Sequence, residues 1–114
     1  MNATSSSRPR ASQPSASAPP VIPPARAVLL AEMLRAVAHP LRLRIIALLC
    51  PAEMNVGALA ERLDAGQAIV SQHLRILRMS RLVDVTRAGG EARYRLAEPH
   101  LRDLIRCVES CERV

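Results

Sequence analysis

Two sets of side chains in this 114-residue chain have the types and the spacing for chemistry. The first is Gln67, Ser71, Arg75 and Arg78, at intervals of four, four and three, with Gln72 beside them. On a helix these polar groups form one stripe, while Val70, Leu74 and Leu77, flanked by Ile69 and Ile76, form an apolar side. Gln and Arg make bidentate hydrogen bonds to adenine and guanine edges in the major groove of DNA, and Ser and Arg reach phosphates. The stripe carries no carboxylate, whereas a merely solvated face mixes Glu with its Arg. The second set is His100, Cys107 and Cys111, which fall within about 40° of one another at the helical 100° per residue, with Asp103 at the edge. Two thiolates one turn apart can chelate a soft ion, and Cys50 or His100 would supply a third ligand. The competing reading is that these cysteines are small apolar fillers.

Charge and composition bound the rest. The net charge is +6 and every one of the 16 basic residues is Arg, the better fork for phosphate and base recognition. Residues 67–95 hold Arg75, Arg78, Arg81, Arg87, Arg93 and Arg95 against Asp84 and Glu91, so the basic excess surrounds the first set. The core must be aliphatic, because the chain has no Phe or Trp and a single Tyr. Its length suits one domain. No Ser or Cys has a base at a suitable spacing, and there is no Gly-rich phosphate loop or carboxylate pair, so an enzyme is the least supported class. Residues 1–24 hold no apolar segment of signal-peptide length, and no run approaches a membrane span. A cytoplasmic protein with no membrane partner, its thiols reduced, metal-binding or redox-active, is the expectation.

The elements that position these residues can be read in order. Residues 1–24 contain six of the nine Pro and many Ser and Ala, the composition of a disordered arm in which Arg8 and Arg10 are solvated. Residues 25–114 then form the folded domain. A helix runs from Ala25 to about His39, where Pro40 disfavours its continuation and opens the next. That second helix, apolar nearly all round, is expected to be the central buried one and to end at Cys50-Pro51. Asn55 caps a short helix, Val56 to Leu63, and Asp64-Ala65-Gly66 turns into a recognition helix over 66–80. The period then switches from 3.6 to 2. Leu82, Val83 and Val85, the turn Ala88-Gly89-Gly90-Glu91, and Ala92, Tyr94 and Leu96 make a hairpin over 82–96. A closing helix spans 98–113. The fold class is mainly α with one small β-hairpin, a winged helix-turn-helix. His73 points toward the apolar side of its helix and is read as a packed, backbone-bonded histidine. Arg78 is a phosphate candidate that could equally pair with a neighbouring acid.

In this order, Ala38-His39-Pro40-Leu41-Arg42-Leu43-Arg44-Ile45, Val70-Ser71-Gln72-His73-Leu74-Arg75 with Leu77-Arg78, and Tyr94-Arg95-Leu96 resemble the ArsR/SmtB family of winged-helix repressors over residues 26–112. The resemblance implies a homodimer built on the first and last helices. It also implies binding to a double-stranded, dyad-symmetric operator near its own gene, and release by an inducer. It makes Gln67, Ser71, Gln72 and Arg75 groove readers and puts Arg87 and Arg93 on the wing. Two positions depart from the family pattern: Gly66 stands where a Ser cap is frequent, and the wing tip is Gly90 beside Glu91. Family members respond to Zn, Cd or Pb, to trivalent As, or to reactive sulfur and oxidants. Three Cys with few His favour a thiophilic ion or thiol oxidation here. Thiol-switch members pair a Cys inside the second helix with one near the end of the last, and Cys50 lies about one turn later than that pattern. An i, i+4 disulfide within one helix is poorly oriented, so oxidation would pair Cys50 with Cys107 or Cys111. The alternative to a DNA-binding regulator is a winged-helix module for protein contact, or a regulator whose cysteines only pack.

Overall fold

The computed structural model describes residues 21–113. The expected arm therefore lies almost wholly outside the described residues, Arg8 and Arg10 included. Helix α1, Pro24–Val37, begins with Pro at its first turn and stops two residues before the expected end, with Ala38 N–H closing on Leu34 O at 2.9 Å. Helix α2, Pro40–Leu49, is capped by His39, whose Nδ1 accepts the Leu41 N–H at 3.1 Å. Helix α3, Val56–Leu63, is capped by Asn55 Oδ1 on Ala58 N–H at 2.7 Å, and Asp64 ends it in the left-handed region at φ 52°. Helix α4, Gln67–Met79, has Gly66 as N-cap and Ser80 as C-cap. Strands β1, Val83–Ala88, and β2, Glu91–Leu96, pair antiparallel, and helix α5, His100–Glu109, closes the fold. This is the winged helix-turn-helix order. No described helix is long and apolar enough to cross a membrane.

Helix α2 lies at the centre, packed against α1, α3, α4, α5 and β2. Its Ile45, Ile46 and Leu49 are buried, but Leu43 is 40% exposed, so the helix is not buried all round as its apolar pattern implies. The rest of the core is Leu59, Ala60 and Leu63 from α3, Val70, Leu74 and Leu77 from α4, and Leu101 and Ile105 from α5, closed by Ala36, Val37, Leu82 and Val83. It contains no aromatic ring. The lone Tyr94 is half-buried at its edge.

The hairpin turns where expected, and it makes one contact that was not. Gly89 and Gly90 both have positive φ, 59° and 79°, giving the tight two-residue connection that only glycine enters without strain. Met54, in the α2–α3 loop, pairs with Tyr94 through Met54 N–H to Tyr94 O (3.0 Å) and Tyr94 N–H to Met54 O (2.8 Å). The wing is thereby tied to the entrance of α3.

The last helix corrects the expectation of 98–113. It ends at Glu109, Ser110 Oγ donates back to Arg106 O at 2.8 Å, and Cys111 lies past the helix with its N–H on Val108 O at 3.1 Å. The physical reason is burial: after Val108 the tail Glu109-Ser110-Cys111-Glu112-Arg113 offers little apolar surface, and a helix end without packing is marginal.

Candidate nucleic-acid interface

Helix α4 is fixed by its buried side. Val70, Leu74 and Leu77 are fully buried against the core, and Gln67, Ser71, Gln72, Arg75 and Arg78 are all exposed. Measured from the centre of the buried face at the helical 100° per residue, Gln72 and Arg75 point most directly away and Ser71 stands at about a right angle. Gln67 and Arg78 occupy the shoulder nearer the core, exposed nonetheless. Gln67 leans on α3: its Nε2 lies 3.6 Å from where a Cβ on Gly57 would stand, an ordinary contact. Among the described residues Arg78 makes no ion pair, which leaves its guanidinium available to a phosphate. Ala68 and Met79 share the outermost face with Gln72, and the sequence reading passed over both. A methyl such as that of Ala68 is the group that contacts a thymine C5-methyl. Its position four residues before Gln72 was the available signal.

The wing arginines separate. In the observed register Arg87 stands opposite Ala92 and Arg93 opposite Thr86, so the two lie on opposite faces of the hairpin. Arg93 Nε approaches Glu91 Oε1 at 3.6 Å, and Glu91 also accepts a hydrogen bond from Asn55 Nδ2. Glu91, beside the wing tip, thus clasps the tip to the cap of α3 through the amide that also caps Ala58. Arg95 pairs with Asp84 at 3.7 Å. Arg87 has no carboxylate partner among the described residues and is the free cation of the wing.

His73 is packed, as its wheel position implies, but it is bonded to a side chain and not to the backbone. Its Nδ1 lies 3.2 Å from Arg42 Nη1, and its ring sits 4.5 Å from that of His39, tilted by 41°. Arg42 in turn donates from Nε to Ala36 O at 2.6 Å. Burial, then the neighbouring His39 and Arg42, hold the His73 imidazole below its usual pKa. None of these partners was legible from the α4 window, because Arg42 is 31 residues away.

At the other end of the molecule the thiols are free and apart. Cys50 is half-buried beside Arg102, Ile105, Arg106 and Glu109, and its carbonyl accepts from Arg102 Nε at 2.7 Å. Burial raises the Cys50 thiol pKa, with Glu109 adding to the rise and Arg102 and Arg106 opposing it. Cys107 and Cys111 are exposed. Cys107 lies about 100° around α5 from Arg106, off the stripe that meets Cys50. His100 shares the Cys107 side of the helix but is engaged with Glu98, whose carboxylate accepts its N–H at 2.9 Å and meets its Nδ1 at 2.8 Å. Both contacts lower the Glu98 pKa. Among the described residues of one protomer, no three His, Cys, Asp or Glu side chains group to hold a metal. A thiophilic ion does not fit this set within a single chain.

Residues 39–85 match the family described as bacterial regulatory protein, arsR family. The transcriptional repressor SmtB of Mycobacterium tuberculosis is 41% identical over 85 residues, which cover 73% of this chain and 63% of that protein. The chain thus spans under two thirds of the length of that relative. The transcriptional regulator KmtR of the same organism is 38% identical over 89 residues, covering 78% of this chain and 68% of that protein. Among solved structures, HlyU from Vibrio cholerae superposes with a TM-score of 0.72 at 29% identity, over 76% of this chain and 95% of its own. Mb0332 from Mycobacterium bovis, described as a homodimeric winged helix-turn-helix DNA-binding domain, gives 0.68 at 29% identity over 75% and 79%.

Proposed function

This chain belongs to the arsR family of bacterial regulatory proteins, and we propose that it is a sequence-specific transcriptional regulator, a homodimeric repressor that reads a dyad-symmetric operator with α4. The observation that carries the proposal is the acid-free exposed stripe of Gln67, Ser71, Gln72 and Arg75 on a helix whose opposite face is locked in the core. Gln72 and Arg75 read base edges, Ser71 and Arg78 hold phosphates, and Gln67 enters the groove at the start of the helix. Arg87 makes the main wing contact, with Arg93 held back by Glu91. Phosphate contacts release counterions, so affinity falls steeply as salt rises.

The test uses short duplexes tiled across the DNA upstream of the gene, titrated by fluorescence anisotropy at fixed salt. Gln67→Ala/Arg75→Ala is expected to weaken binding by about tenfold or more, since each bidentate base contact contributes about 1–3 kcal/mol of discrimination. Wild-type affinity in that variant would remove these residues from the reading role.

Release from the operator is the second part of the proposal, with Cys50, Cys107, Cys111 and His100 as its residues. Thiol oxidation needs accessible sulfur, which Cys107 and Cys111 supply. A metal needs ligands gathered by a partner subunit, because one chain does not gather them. Operator complexes are to be challenged with diamide, polysulfide, Zn, Cd, Pb and arsenite. Unaltered release by every agent in Cys107→Ser/Cys111→Ser would reduce these cysteines to packing.

A further inference from the structure

Three residues outside the reading stripe meet where α1 ends, α2 begins and α4 passes. Arg42, on the first turn of α2, donates from Nε to Ala36 O at 2.6 Å and reaches His73 Nδ1 with Nη1 at 3.2 Å. The His73 ring rests 4.5 Å from His39, and His39 Nδ1 caps α2 through the Leu41 N–H. A guanidinium has donors only, so His73 Nδ1 must be the acceptor, and its proton sits on Nε2. His39 is bound by the same rule, because a backbone N–H claims its Nδ1. Both rings are therefore required as neutral acceptors. One side chain, Arg42, spans the α1 carbonyl and the recognition helix.

We propose that Arg42, His39 and His73 form a positioning joint that sets α4 against α1 and α2, and that operator affinity falls when His73 takes up a proton. The inference rests on the reading of α4 as the DNA-contacting helix. A proton on His73 Nδ1 turns an acceptor into a cation facing a guanidinium. That change loosens the contact that orients Ser71, Gln72 and Arg75, neighbours of His73 on the same helix. Among the described residues no acid is placed to offset the added charge. His39 and Arg42 are the charged or titratable groups that face His73, while Glu61 and Asp64 from α3 border Gln67 at the start of α4. Glu32 of α1 lies beside Met79 and Arg81 at the other end of α4. Asp84 of β1 is paired with Arg95. The lowered pKa of His73 agrees with this arrangement.

The experiment measures operator affinity of the full chain from pH 8 to pH 5.5 at constant salt, with far-UV circular dichroism at each pH. Wild type is expected to weaken by about tenfold over this range, the change expected when a hydrogen bond to a charged group is lost. His73→Gln keeps an acceptor toward Arg42 but cannot titrate, so its profile should be flat. His73→Gln should bind more tightly than His73→Phe at pH 8, and Arg42→Met should bind about tenfold more weakly than wild type. A His73→Gln variant whose profile runs parallel to wild type overturns the joint, as does a folded Arg42→Met with wild-type affinity. Wild type that binds no upstream duplex at pH 8 overturns the DNA-reading assignment of α4 instead, and the inference with it.

Discussion

Cys50 and His73 are both held in their neutral forms by burial, and each gives a measurable consequence at the level of a single residue. The thiolate is the reactive form of cysteine, so a thiol whose pKa is raised reacts slowly. Timed alkylation by iodoacetamide at pH 7, read by mass spectrometry, should label Cys107 and Cys111 ahead of Cys50. Equal rates would remove any shelter from Cys50. For His73 the folded value lies below the ordinary 6.5, so the unfolded chain binds more protons between the two values. Its contribution to stability is present above about 6.5 and is lost as pH falls through the folded value. The difference in urea midpoint between wild type and His73→Phe should therefore be smaller at pH 5.5 than at pH 7.5. The packing of His73 was legible from its wheel angle. Its partners were not, because a contact across 31 residues leaves no periodic trace.

At the scale of elements, capping signals located most helix starts. Pro40 after a cap, Asn55 before Val56 and the Asp64-Ala65-Gly66 turn all stand where local chemistry places them. The end of α5 misled the periodicity because His100, Cys107 and Cys111 have helical spacing without the apolar burial that would keep the helix going. The wing clasp was illegible for a different reason: Glu91 reads as a solvated turn residue until the fold brings Asn55 to it. Asn55→Ala removes both the α3 cap and the clasp. It should lower stability by about 1–2 kcal/mol, the upper range for a lost N-cap, measured by urea unfolding. Gly66 offers the opposite case. It is extended, at φ −67° and ψ 144°, and a Cβ there meets nothing within 4 Å. Gly66→Ser should add the missing side-chain cap to α4 and raise stability by a few tenths of a kcal/mol. A decrease would show that the conformation at Gly66 is not free to accept a side chain.

On the whole molecule, large apolar side chains remain exposed on α1 and α5, besides Leu43 of α2 and Ile69, Ile76 and Met79 of α4. Val28 and Leu29 of α1 are 57% and 60% exposed, Val108 of α5 is 44% exposed, and a groove between α1 and α5 is lined by Leu30, Met33, Leu101 and Leu104. A single chain gains nothing by leaving these side chains in water, and contiguous exposed apolar surface marks an interaction site. The core pattern of α1 was visible in the sequence, but which of its apolar residues the fold leaves exposed was not, because both faces are equally aliphatic. A homodimer joined here places two copies of α4 about a two-fold axis, so each contributes one half-site and the pair binds with the gain of linked sites. Val28→Asp/Leu29→Asp puts carboxylates on the exposed surface proposed to meet a second copy and replaces no residue of α4. It should shift the sedimentation coefficient from dimer to monomer, leave the circular dichroism spectrum helical, and weaken operator binding by at least about a hundredfold, the low end of the advantage that linked sites confer. A variant that stays dimeric would place the subunit contact elsewhere. One that becomes monomeric yet binds the operator at full affinity would show that a single α4 and wing suffice for recognition.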